Sequence, residues 1–222
     1  MFKQDFRYIN EEFHAEKLHP AQVDAVWAEG WRHFGSHFFR YNLGIYEDEI
    51  RRVIPLRIRL ANFRLSKSQR RIFRKNEDLQ TIIRPVSITA AAENLFDRHK
   101  RRFKHGMPDS IYDFLSRDAA NVPCEAKEVC VYEGEKLIAA SFFAVGEYAA
   151  SAVYGMFAPE ETSRSLGIFT MLKEIEFAIE NGRQFYYQGY CYEGESFYDY
   201  KKRFAGIEFF DWSGKWQKIG KT

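Results

Sequence analysis

The sequence predicts an α/β protein, a mixed sheet flanked by helices, preceded by a small N-terminal α+β portion. Three observations predict it. Residues 129–132, 137–145 and 149–157 are apolar runs in close succession, the first two joined by Glu133-Gly134-Glu135, a hairpin signal that implies an antiparallel meander. A strong helical pattern follows, with Phe169, Leu172, Ile175 and Ile179 facing the core and Asn181-Gly182 as its stop. The strand 184–190 comes at once after it, and strands interleaved with a helix in this order give helices covering a mixed sheet.

The remaining elements follow in chain order. Residues 20–34 place Val23, Val26, Trp27, Trp31 and Phe34 at helical spacing, with Pro20 suited to a first turn. Residues 38–41 and 56–60 read as strands, the second alternating apolar and basic side chains so that one face goes inward and the other is basic. Ser66 can cap a short basic helix, 67–76, whose surface carries Gln69, Arg70, Arg71, Arg74 and Lys75. A longer helix, 87–103, buries Leu95 and Phe96 and ends in five successive basic residues from Arg98 to Arg102. Cations at a helix C-terminus offset the macrodipole, which accounts for two of the five. A short helix at 196–204 and a strand at 207–212 close the chain, and no repeat or linker interrupts it. The division expected is an N-terminal subdomain, 1–60, and a main domain, 61–222.

With 222 residues and 45% hydrophobic content, one sizeable core can be buried. No apolar run approaches the roughly 18 residues of a membrane span, and Met1-Phe2-Lys3-Gln4-Asp5 lacks signal-peptide organisation, so the expectation is a cytoplasmic protein with no membrane partner. Cys124, Cys130 and Cys191 are too few and too irregular for a disulfide framework or a four-thiolate metal site, so neither is expected. The net charge of +2 conceals an asymmetry. Between Arg51 and Lys104 sixteen Lys/Arg face four acids, a net +12, which leaves −10 for the rest of the chain. Such an excess attracts polyanions and favours contact with nucleic acid over a merely solvated face.

Several dispersed blocks resemble the arginyl- and leucyl-tRNA-protein transferases, whose C-terminal half has the acetyltransferase-like (GNAT) fold. They are Glu29-Gly30-Trp31-Arg32-His33-Phe34-Gly35 with Phe38-Phe39-Arg40; Leu56-Arg57-Ile58; Phe63-Arg64-Leu65-Ser66-Lys67-Ser68-Gln69-Arg70-Arg71 with Asn76; Arg98-His99; Tyr154 with Pro159; Ser165-Leu166-Gly167; and Tyr187-Gln188-Gly189-Tyr190 with Tyr200-Lys201 and Glu208. The chain departs from the family pattern at residues 41–54, which hold no cysteine, and at Ala144, Tyr198 and Gly206, where the family carries an acid, a Met and a Pro.

The resemblance implies a GNAT-like main domain and transfer of arginine or leucine from charged tRNA to the N-terminal α-amine of an acceptor protein, in N-degron turnover. The tRNA is a co-substrate, and no cofactor or metal is implied. Aminoacyl-tRNA is already an activated ester, so positioning, a donor for the oxyanion and a neutral amine are the main requirements. Tyr190, Lys201 and His99 are the catalytic candidates. Arg98, Tyr154, Gly167, Tyr187 and Tyr200 are the candidates for substrate binding, the tyrosines because exposed bases stack on aromatic rings. Arg57, Arg70, Arg71, Arg74, Lys75 and Arg164 are assigned to tRNA. The alternatives are an acetyl-CoA-dependent N-acetyltransferase, set against a loop with the single glycine Gly167, and a non-catalytic RNA- or degron-binding module.

Overall fold

A computed structural model describes residues 7–103 and 106–219. Residues 1–5 and Lys104, which entered the expectations above, lie outside the described residues. The chain opens with strand β1 (Asn10–His14) and helix α1 (Pro20–Ala28). Next come β2 (Arg32–Phe34) and β3 (His37–Tyr41), which join β1 in a three-stranded antiparallel sheet of order β1-β3-β2. Helix α1 therefore stops six residues short of the expected 34. Gly30, at φ +83°, turns the chain out of the helix, and a Cβ there would fall 2.9 Å from the Phe210 ring. Val23 and Trp27 are buried by the helix, while Trp31 packs edge-on against Phe13 and Phe34 against Phe114.

The second sheet has nine strands. β4 (Leu43–Tyr46) forms a hairpin with the outer part of β5 (Glu49–Arg59), and β5 then runs into the large sheet between β10 (Phe185–Tyr192) and β11 (Ile207–Phe210). The full order is β12-β11-β5-β10-β9-β8-β7-β6, where β6 is Gln80–Pro85, β7 Ala126–Glu133, β8 Lys136–Val145, β9 Ala149–Phe157 and β12 Trp216–Lys218. The expected meander is present as β7, β8 and β9, all antiparallel. Strands β1, β2, β4, β6 and β12 are additions to the expected set.

Helix α2 (Lys67–Lys75) begins as expected: Ser66 accepts from the Gln69 amide and Gln69 answers to the Ser66 amide. Helix α3 (Ala90–Lys100) starts later than 87 because Thr89 is its cap, accepting from the Ala92 amide. Helix α4 (Leu166–Glu180) connects β9 to β10 and packs on β7, β8 and β9, while α3 packs on β8 and β9. Every residue of β8 from Leu137 to Val145 is buried, so the sheet is covered on both faces. Phe169, Leu172 and Ile175 face this core as expected, but Ile179 in the last turn of α4 is exposed. The expected helix at 196–204 is a 3-10 segment, Phe197–Arg203.

Candidate active site

β9 and β10 are parallel neighbours for only three residue pairs, Ala149 with Phe185, Ala150 with Tyr186 and Ser151 with Tyr187. Beyond them the strands part, although β9 runs on to Phe157 and β10 to Tyr192. A parting of two parallel strands leaves carbonyls and amides without a ladder partner, and something must satisfy them. Here a side chain does so. Arg32, from β2, donates through Nη2 to the carbonyls of Ala152 (3.3 Å) and Val153 (3.2 Å). Its guanidinium lies against Gly189, where β10 bulges and φ is +89°; a Cβ at Gly189 would fall 2.6 Å from Nη1. Only glycine combines that backbone angle with that closeness.

Tyr190 and Lys201 belong to the same locality. The Tyr190 hydroxyl donates to the Gly30 carbonyl (2.7 Å), its ring lies 5.7 Å from the Arg32 guanidinium carbon, and Tyr41 packs edge-on to it. Burial pushes its pKa far up, so it remains a phenol that fastens β10 to the turn after α1. Lys201 is only 9% exposed, and its ammonium donates to the Tyr190 carbonyl at 3.0 Å. Burial, reinforced by the neighbouring Arg32 charge, brings the Lys201 pKa down to about 7. Tyr200 is partly buried beside them, with its pKa pushed up to about 12 by burial. Tyr187 lies on β10 opposite Arg57 and packs against Trp27 and Trp216.

His99 and Tyr154 stand elsewhere, between α3 and β9. His99 Nδ1 lies 3.0 Å from the Phe157 carbonyl and 3.1 Å from its amide, and burial lowers the imidazole pKa, so the ring ties the helix to the strand. Tyr154 stacks on Phe114 with ring centroids 4.0 Å apart, and its buried hydroxyl has no hydrogen-bond partner among the described residues. Arg98 is ion-paired with Glu160, which also meets Lys136. Gly167, in the first turn of α4, would bring a Cβ into ordinary contact with Phe157.

The basic residues divide into two groups. Arg57 is buried, paired with Glu208 at 2.8 Å, and sandwiched by Phe185 (4.1 Å) and Trp216 (4.3 Å), so the expected outward basic face of that strand is a covered ion pair at this position. Arg164 grips Asp78 through two 3.0 Å bonds and also meets Glu133 and Glu161. Its charge is matched within the chain. Lys75 donates to the Ser163 carbonyl, binding α2 to the loop before α4. Arg70, Arg71 and Arg74, by contrast, are exposed on α2, and among the described residues none is ion-paired with a carboxylate. The opposite side of α2 packs inward through Phe73, edge-on to Phe169 of α4.

The structure thus gathers Arg32, Tyr190, Lys201 and Tyr200 at the parted strands and puts the exposed arginines on α2, which is bonded to the loop that leaves β9. Arg32 stands in the family-like block from Glu29 to Gly35 but carries none of the roles expected from the sequence. Its one local signal is a cation two residues past the glycine that stops α1, and its partners are 120 and more residues away. Among the described residues no group of three His, Cys, Asp or Glu could hold a metal ion, and no helix is long and apolar enough to cross a membrane. All three cysteines are buried as thiols, with burial raising their pKa to about 11 or 12.

Residues 91–211 match the family model described as arginine-tRNA-protein transferase, C terminus. The chain is 33% identical over 168 residues to an aspartate/glutamate leucyltransferase of Xanthomonas oryzae pv. oryzae, covering 71% of this chain and 66% of that protein. It is 32% identical over 178 residues to the protein of the same name in Xanthomonas axonopodis pv. citri, covering 74% and 70%. Among solved structures it is similar to a GCN5-related glucosamine N-acetyltransferase region of a fungal multi-domain β-N-acetylglucosaminidase, at 14% identity, 86% and 22% coverage and a TM-score of 0.48.

Proposed function

This chain belongs to the arginine-tRNA-protein transferase family, and from that premise we propose that it moves an arginyl or leucyl group from charged tRNA onto the N-terminal α-amine of an acceptor protein. The observation that carries the reading beyond family membership is the pairing of parted strands with a free basic helix. The gap between β9 and β10 is a place for the aminoacyl ester, and Arg70, Arg71 and Arg74 offer uncompensated charge to the RNA that brings it. The acceptor nitrogen bonds to the ester carbonyl carbon, the carbon–oxygen bond to the ribose breaks, and the amine proton ends on the departing ribose oxygen. Because the ester is already activated, holding amine and carbonyl together supplies most of the acceleration.

Within this reading Tyr190 and His99 act through position, since the Tyr190 hydroxyl and His99 Nδ1 are engaged by backbone. Lys201 keeps two N–H donors beyond its bond to Tyr190. Tyr187 and Tyr200 shape the walls of the gap, while Arg98, paired with Glu160, and Tyr154, stacked on Phe114, act through position on the α3 side, and Gly167 stands in the first turn of α4. Charged tRNA and an acceptor N-terminus are the partners, with no metal or organic cofactor required, and the cytoplasm, where charged tRNA is made, is the proposed location. N-degron turnover is the proposed setting. The test offers one acceptor peptide to the protein with aminoacyl-tRNA in one reaction and acetyl-CoA in another. Modification in the tRNA reaction alone supports the proposal; modification in the acetyl-CoA reaction alone overturns it.

A further inference from the structure

Beside the last turn of α4 lies a cavity of about 450 Å³, closed by the end of β5 and the start of β10. Arg59, Leu60 and Ala61 line it from the end of β5 and the 3-10 turn that follows, and Ile179, Gly182 and Arg183 from the end of the helix. Gln184 also lines it, and β10 parts from β9 only beyond Tyr187. At a strand rise of about 3.3 Å per residue, Tyr190 lies about 20 Å along the chain from Gln184, so this cavity is separate from the candidate active site.

The lining joins an apolar wall to unmatched cations. Ile179, which helical spacing assigns to the core, is 45% exposed and shares the wall with Leu60 and Ala61. An exposed isoleucine alone means little; one in a concave lining beside arginines is a different matter. Arg59 directs Nε to Glu208, a carboxylate that Arg57 also claims, and Arg183 directs Nη1 to the carbonyls of Glu147 and Asn181. The Nε of Arg183 is buried with no hydrogen-bond partner among the described residues. Arg183 forms no ion pair among them either, although Asp24 feels its charge from farther away. Arg64, which donates to the Ala61 carbonyl, also has no carboxylate partner among the described residues, and none of them that lines the cavity is Asp or Glu. A buried guanidinium N–H left unpaired is costly, and an anionic acceptor relieves that cost.

We infer that this cavity docks an extended segment of a partner polypeptide in which an aspartate or glutamate stands next to a leucine, isoleucine or valine. The carboxylate meets Arg59 and Arg183, and the aliphatic side chain meets Ile179 and Leu60. Charge complementarity selects the acidic residue, through bonds that a guanidinium edge makes well to a carboxylate. The apolar wall selects against a nucleic-acid backbone, whose phosphates are flanked by ribose and gain nothing from isoleucine. An apolar centre with a charged rim is the anatomy of a protein interface. The docked segment is internal to its polypeptide and needs no free α-amine, so the inference goes beyond the transfer reaction and does not depend on it.

The experiment titrates the full chain, by calorimetry, with a short peptide that carries Asp-Leu at its centre among glycine and serine. Its N-terminus is acetylated and its C-terminus amidated, so it has no amine with which to act as an acceptor. Wild-type protein is expected to bind it about tenfold more tightly than peptides with Asn-Leu or Asp-Ser at the same place. Ile179→Ser, at an exposed position, and Arg183→Met are each expected to weaken the Asp-Leu peptide about tenfold and to leave tRNA-dependent transfer unchanged, with thermal melts confirming the fold of each. No binding by wild type, equal binding of the three peptides, or binding that Ile179→Ser leaves intact overturns the inference. So does a short RNA that binds more tightly than the peptide and loses its affinity in Arg183→Met. The two readings fail separately: absence of transfer leaves the peptide titration unaffected, and absence of peptide binding leaves transfer unaffected.

Discussion

Glu174 lies on α4 with its carboxylate accepting the Tyr186 hydroxyl, and burial pushes its pKa up from 4.5 to about 7. Between those two values the folded chain holds a proton that the unfolded chain has lost, so this group's contribution to stability falls as pH rises from about 4.5 to about 7 and is constant above. Glu174→Gln, which stays neutral, is expected to be more stable than wild type at pH 8, by on the order of 3 kcal/mol at most, and to converge with it near pH 4. Melting curves at both pH values check the sign. Gly189→Ala places a methyl against the Arg32 guanidinium in a backbone conformation that alanine rarely adopts, at a cost of about 1–3 kcal/mol. Its melting temperature is expected to drop. At this scale the sequence was partly legible. Tyr190 and Lys201 stood out through the family-like spelling, whereas Arg32, spelled in a family-like block as well, drew no role, because the carbonyls that its guanidinium holds belong to a strand far away in the chain.

Among the elements, β5 is held from both sides, antiparallel to β10 and to β11. Glu208 on β11 fixes it by accepting from Arg57 at 2.8 Å and Arg59 at 2.9 Å, while Phe185 and Trp216 close over Arg57. Glu208→Ala leaves a covered guanidinium unpaired and is expected to cost about 3–5 kcal/mol, measured by denaturant unfolding. The alternation at residues 56–60 identified the strand and its apolar face, with Leu56 and Ile58 buried. What it could not reveal is that Arg57 is covered, since the covering residues come from β10 and β12. The helix expected at 20–34 went wrong at a legible place: Gly30 is a stop signal, and the apolar spacing of Trp31 and Phe34 came from a short strand packed against Phe13 and Phe114. β6 was missed because Gln80–Pro85 is only partly buried and lies at the sheet's edge, where apolar patterning weakens.

For the molecule as a whole, the cations of the +12 stretch divide into two groups. Arg57, Arg84, Arg98 and Lys100 are ion-paired, and Lys75 and Arg102 are engaged by a carbonyl and an aromatic face. The arginines of α2 stay exposed without a carboxylate partner among the described residues, although Arg70 donates to the Leu65 carbonyl, and they are the ones proposed to meet tRNA. Arg70→Ala and Arg74→Ala are each expected to lower the slope of log affinity for tRNA against log salt by about 1, with little effect on melting temperature. An unchanged slope would remove α2 from the tRNA face. Sequence charge gave the presence of such a surface, and only the fold separates the cations that hold it together from those left over. Transfer that depends on tRNA is measured by supplying labelled leucine and labelled arginine, each on tRNA, to peptides beginning with Asp, Glu, Arg or Lys, with an RNase-treated control. Labelling of the Asp and Glu peptides that disappears after RNase is the predicted result. No labelling with any pairing, or labelling that survives RNase, would contradict it.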